Sequence, residues 1–326
     1  RHSLESFHGA PNPKAIESVW SYLSSEDYHL RYAARIAIEW QDPKTWADKA
    51  YNETNDIAAI HSLLGLARCD FDGSKQPSID RLLKVDFNKL DKTGKLALLR
   101  TYSVIMSRAG KATEKQIIAL GKQIDPHYPT TDDNLNEELC RVLCYLQHPS
   151  VVSKTIDLMK TTKISVPKYD PEMIKRGGHY GKTILAAMSE NVAPNVLNIH
   201  FLFCLKDVTN GWSMDQRKAY LGELKELLSK KGGNYFSGYL NKIRESAIAN
   251  VPDKDKLALQ YLTGEIKDID LSKLPRAKGP GVAWTVDSGL DVLNKEPLKG
   301  RNFANGKKMY SAGLCVACHR FGDEGG

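Results

Sequence analysis

An all-α fold of stacked helical hairpins is what this sequence predicts, and three observations carry it. Apolar residues recur at spacings of three and four in one segment after another. Nowhere do several residues alternate cleanly enough to argue a sheet. One helix-turn-helix phrase also occurs twice. "RIAIEWQDPKTWADKAYNE" from Arg35 and "RVLCYLQHPSVVSKTIDLM" from Arg141 share R-x5-Q-x-P and then a second amphipathic run. In each copy the first helix should end at the glutamine. The proline, which needs no amide donor, should open the next helix in its first turn. That is the unit of an α-solenoid, and the separation of the copies suits two or three units of about 40 residues. The expected architecture is a HEAT-like α-solenoid over residues 1–265, with an irregular helical bundle as the alternative.

The elements follow in chain order. "NPKAIESVWSYLSS" from Asn12, "YHLRYAARIAIEWQ" from Tyr28, "DPKTWADKAYNE" from Asp42 and "DIAAIHSLLGLARC" from Asp56 are short amphipathic helices divided by Pro, Asp, Asn or Gly. The same grammar runs through "GKLALLRTYSVIMSRAG" from Gly94, "EKQIIALGKQI" from Glu114, "NEELCRVLCYLQHP" from Asn136 and "VVSKTIDLMKTT" from Val151. It continues in "GKTILAAMSEN" from Gly181 and "DQRKAYLGELKELLSKKGG" from Asp215. From Ile266 to Gly300 the texture changes: three prolines, four glycines and little helical period predict a linker lying extended over the solenoid. Trp284, its most apolar residue, is expected to anchor it in a surface groove. A last helical run from Phe303 to Ala312 leads into "GLCVACHRF".

Composition is that of an ordinary globular chain, 41% hydrophobic over 326 residues, ample for a sizeable core. No run approaches the roughly 18 apolar residues of a membrane helix, so no transmembrane segment is expected. The first residues lack both an initiator Met and the apolar core of a signal peptide, so Arg1 reads as an internal start. Net charge is +7, and the end from Leu271 onward, with nine basic and five acidic residues, carries more than half of it. A nucleic-acid-binding solenoid would need Lys and Arg lining one concave face, and the near-balanced charge of the first 270 residues argues against it.

The six cysteines fall into two groups. Cys69, Cys140, Cys144 and Cys204 sit inside apolar helical patterns and read as core, where an unpaired Cys behaves as a small hydrophobe. Cys140 and Cys144, one helical turn apart, could face each other, though a helix holds such a pair in poor geometry for a bridge. Cys315 and Cys318 differ, because His319 follows at once. C-x-x-C-H is the attachment signature of c-type haem. Each sulfur adds across one vinyl group, and the adjacent His lies under the iron as proximal ligand. Cys315 and Cys318 would thus be the two thioethers and His319 the iron ligand. Two rival chemistries share the C-x-x-C. A zinc site needs two further ligands, but the chain has no second C-x-x-C and no H-x3-H; a thioredoxin-like pair needs a βαβ context that a helical chain lacks.

Other constellations are weaker. "RGGHYGKT" from Arg176 misses the phosphate loop G-x-x-x-x-G-K-[ST], since Arg176 replaces the first Gly and no apolar strand precedes it. His179 and Tyr180 there read as packing or capping residues. His2, His8, His29, His61, His127, His148 and His200 are scattered without ligand spacing.

"GKKMYSAGLCVACH" resembles the first helix of class I cytochromes c, in which G-x-x-x-(aromatic) precedes the signature; here those residues are Gly306 and Tyr310. The wider "RNFANGKKMYSAGLCVACHRFGDEGG" looks like the opening of the haem domain in large secreted bacterial proteins known from Planctomycetes, Verrucomicrobia and Bacteroidetes. "GGHYGKTILAAM", "GWSMDQRKAYLGELKELLSKKGG" and "VAWTVDSGLDVL" resemble that family's repeat region and linker, so the likeness covers most of Lys175 to Gly326. It implies covalent haem c on Cys315 and Cys318, electron transfer outside the cytoplasm (periplasm or cell surface), and a dehydrogenase domain or partner as donor, oxidising a sugar or similar alcohol. In that family the distal ligand, usually Met, comes well after the signature, and the helix before it carries core residues, so Met309 is not expected to bind the iron. Residues 301–326 are therefore read as the start of a haem domain cut short. The alternative is a protein-interaction scaffold with no haem bound.

Overall fold

A computed structural model describes residues 1–69, 71, 73–108, 110, 112–163, 170–178, 181, 194–230, 236–263, 275–276, 281–295, 300, 302–317 and 319. Among them the regular elements are α-helices and short 3-10 turns, with no strand, so the chain is all-α. The helices are α1 (His2–Glu5), α2 (Ala15–Val19), α3 (Tyr28–Glu39), α4 (Ala47–Tyr51), α5 (Asp56–Arg68), α6 (Lys75–Leu82), α7 (Lys92–Arg108), α8 (Glu114–Ile124) and α9 (Asp133–Tyr145). They continue with α10 (Val151–Met159), α11 (Pro171–Arg176), α12 (Val196–Leu205), α13 (Met214–Leu228), α14 (Phe236–Ala249), α15 (Asp253–Thr263), α16 (Val286–Lys295) and α17 (Phe303–Ala312). Two compact units divide the chain: Arg1–Lys163 with Asn195–Tyr220, and Ile164–Pro194 with Leu221–Gly326. The division falls inside the stretch 1–265 expected as one repeat domain.

In the first unit, helix starts are set by side chains that accept the orphan amides of the first turn. Asp27 accepts from His29 and Leu30, Asn55 from Ala58, Asp132 from Leu135 and Asn195 from Asn198. Thr113 and Gln116 form a reciprocal capping box at α8. The long helices then pack in sequence, α3 on α5, α5 on α7, α7 on α9 and α9 on α12, while α4, α6 and α10 lie against their flanks. Helix α5 is apolar on both sides because it is sandwiched, and Gly65 lets the Trp46 ring approach, at 3.4 Å from where a Cβ would sit. Trp46, Leu63, Leu66, Leu98, Leu99, Leu143 and Phe201 are fully buried or nearly so. Burial of each leucine contributes roughly 2 kcal/mol.

The repeated R-x5-Q-x-P phrase performs the same task twice. Helices α3 and α9 stop at Glu39 and Tyr145, one turn or less before the glutamines. Gln41 donates to the Ala37 carbonyl at 2.9 Å and accepts the Asn12 amide at 2.7 Å. Gln147 donates to the Cys144 and Asp207 carbonyls and accepts the Thr209 amide at 2.9 Å. Each amide closes a helix end and ties it to a distant segment. Pro43 then opens a 3-10 turn before α4, and Pro149 precedes α10.

In the second unit, α14 packs on α15 with Leu240, Ile243 and Leu259 buried. The expected extended linker differs from what is found. Residues 286–295 are helix α16, opened by reciprocal hydrogen bonds between Thr285 and Ser288. Prolines and glycines bound this stretch, but the ten residues between them are free of proline and carry Val286, Leu290 and Leu293 on one face. Trp284 is 62% exposed, so it does not fill a groove within its unit. The helix expected over 181–191 lies, apart from Gly181, outside the described residues, as do His179 and Tyr180.

Candidate functional site

Helix α17 presents the C-terminal signature. Asn302 accepts the Asn305 amide and starts the helix; the Gly313 amide bonds the Met309 carbonyl at 2.8 Å and ends it. Leu314 takes a left-handed turn at φ 59, which swings the chain into a 3-10 turn over Cys315–Ala317. There the His319 amide donates to the Cys315 carbonyl at 2.8 Å. This bond fixes Cys315 and His319 one helical turn apart, and the Tyr310 hydroxyl donates to the His319 carbonyl, clamping the turn back onto α17. Cys315 and His319 are exposed, whereas Val316 is buried. Cys318 lies outside the described residues. Met309 and Leu314, 55% and 52% exposed, lie beside the signature. The Tyr310 hydroxyl is held above the usual phenol range by desolvation and by the neighbouring Cys315 thiol.

Cys315 and His319 are thus both uncovered within one turn, and the His319 backbone is tied back to Tyr310. Among the described residues no group of three His, Cys, Asp or Glu side chains could hold a metal ion, and no helix is long and apolar enough to cross a membrane. To the Cys315 and His319 positions that the sequence singled out, the structure adds the backbone turn and the Tyr310 clamp.

The remaining cysteines are partly as expected. Cys140 and Cys144 are buried with sulfurs 3.8 Å apart and unbridged; Cys140 also contacts the Thr155 hydroxyl. Cys69 and Cys204 are only half-buried. Cys69 donates to the Glu39 carbonyl, and burial, with Glu39 adding to it, pushes its thiol up to about 11. Cys204 touches His200 at 3.4 Å across one turn of α12.

Sequence reasoning missed a cluster of arginines. Arg68 at the end of α5, Arg100 and Arg108 on α7 and Arg141 on α9 line one hollow of about 640 Å³ with Met106, Val142 and Tyr145. No linear motif announces it, because only the packing of α5, α7 and α9 brings these side chains together. Compared with protein families, curated proteins and solved structures, the chain has no significant match in any of the three.

Proposed function

We propose that the chain carries a covalently attached c-type haem and transfers electrons outside the cytoplasm, its helical part serving to dock a dehydrogenase. The observation that carries this reading is the bond from the His319 amide to the Cys315 carbonyl, which sets the first and last residues of the C-x-x-C-H motif one turn apart. Cys315, with Cys318, would hold the group through thioethers, and His319 would stand as its proximal ligand. When bound, the group supplies one-electron redox chemistry. Tyr310 fixes the His319 backbone, Asn302 and Gly313 set the length of α17, and Met309 and Leu314 are uncovered apolar surface of the kind a haem edge buries. The serial packing of α3 on α5, α5 on α7, α7 on α9 and α9 on α12 supports a HEAT-like solenoid as the docking scaffold.

The test is a visible spectrum of the chain made with a haem-attachment system, recorded before and after dithionite and in alkaline pyridine. A haemochrome band of two thioether links is the expected result. No band, in protein whose mass shows Cys315 and Cys318 intact, would leave the interaction scaffold without haem. A one-thioether band from Cys315→Ala would assign the first link.

A further inference from the structure

We propose that the hollow lined by Arg68, Arg100, Arg108 and Arg141 binds a small organic polyanion, one that carries two or more phosphate or carboxylate groups. The site lies wholly in the first unit and is independent of any haem.

Four guanidiniums from three packed helices surround a space of about 640 Å³, within the range of small-ligand pockets. Their charges are only partly offset. Arg68 shares Glu39 with Arg35, its Nε lying 2.9 Å from one carboxylate oxygen, and Arg141 bonds Glu138 at 2.8 Å. Arg108 donates to the Arg68 backbone carbonyl at 2.8 Å and makes no ion pair among the described residues; Arg100 makes none either. Like charges gathered this way repel one another, and an anion that bridges them relieves the repulsion. Guanidinium forks suit phosphate and carboxylate oxygens in a two-point grip.

The anchoring of three of the four arginines leaves little side-chain entropy to lose on binding. Glu39 orients Arg68, Glu138 orients Arg141, and the Arg68 carbonyl orients Arg108. Arg100, on the exposed face of α7 one turn and a half from Met106, is free to close on a ligand. The lining is also apolar in part. Met106 and Val142 are buried beneath it, and Tyr145, held by a bond from its hydroxyl to the Met106 carbonyl, stands at the rim. An organic body bearing the anionic groups would cover these surfaces, which a lone inorganic ion would leave bare. A nucleic acid would need a stripe of cations following a backbone. Here the four surround one hollow in a region whose overall charge is nearly balanced.

Calorimetric titration of the full chain with fructose 1,6-bisphosphate and with citrate, at about 50 mM and about 300 mM salt, tests the proposal. The expected result is saturable binding of at least one probe that weakens with salt. Binding of fructose 1,6-bisphosphate alone names the phosphate class, and of citrate alone the carboxylate class. The double variant Arg100→Gln/Arg108→Gln should weaken it about tenfold or more, with the circular dichroism spectrum and melting temperature of the parent. The exposed Lys242→Gln control should change nothing. Absence of binding by both probes overturns the proposal, as does equal binding by the double variant. So does a single-stranded oligonucleotide that binds more tightly than either probe and loses affinity in that same variant.

Discussion

At the scale of single residues, His61 shows how burial turns a side chain that the sequence leaves featureless into a source of pH dependence. It lines a cavity of about 370 Å³ with Glu26, Arg31 and Asp91, and its Nδ1 is buried with no hydrogen-bond partner among the described residues. Burial, aided by Arg31 and Arg35, lowers its imidazole to about 4. In the unfolded chain the same group titrates near about 6.5. Below that pH the unfolded chain takes up a proton that the folded one refuses, so stability falls as pH falls, until the folded group titrates near about 4. Thermal unfolding should show a loss of roughly 2 kcal/mol between pH 7 and pH 5 that the His61→Gln variant lacks. An identical slope in both proteins would show that His61 is solvated. None of this is legible in sequence, where His61 is one of several scattered histidines; its surroundings come from α3 and the start of α7.

At the scale of elements, apolar spacing marked most helices of the first unit and left α12 and α16 undelimited, each for its own reason. Helix α12, "VLNIHFLFCL", is apolar almost all round because α9 and α10 cover it, with Phe201, Leu202 and Leu205 fully buried. Helix α16 was hidden by the prolines and glycines that flank it, although Thr285 and Ser288 are the cap residues that mark its start. Close approach between elements is equally invisible beforehand. On α8, a Cβ at Gly121 would sit 2.7 Å from the His148 ring. That ring is not free to move: His148 bonds Ser150 at 3.0 Å, and Ser150 donates to Asp125, which also takes Lys154 at 2.8 Å. Burial tends to raise the Asp125 carboxyl, but the bonds from Lys154 and Ser150 outweigh it and hold the group below the usual range. Gly121→Ala gains about 1 kcal/mol of helix propensity and costs about 1–3 kcal/mol in displaced packing, so it should destabilise. The same substitution in a His148→Ala background should stabilise, and chemical denaturation of the four proteins reads the sign reversal. No reversal would mean that the ring yields freely.

At the scale of the whole molecule, continuity of the row from α3 to α12 implies that its last member is structurally necessary. A fragment ending at Lys163 lacks α12 and leaves the side of α9 that α12 covers, with Cys140 and the Glu137 carbonyl, open to water. A fragment ending at Lys230 retains α12. The shorter fragment should melt at a lower temperature and bind a hydrophobic dye that the longer one does not; equal melting would mean that α12 adds nothing to the packing. The helical class, the positions of most helices in the first unit and the place of the C-x-x-C-H segment are legible in the sequence alone, because periodicity, caps and a short motif are local patterns. Only the tertiary structure decided which side chains meet. The Arg68, Arg100, Arg108 and Arg141 hollow, the His61 cavity and the Gly121 contact join residues far apart in sequence, and their proximity follows from helix packing.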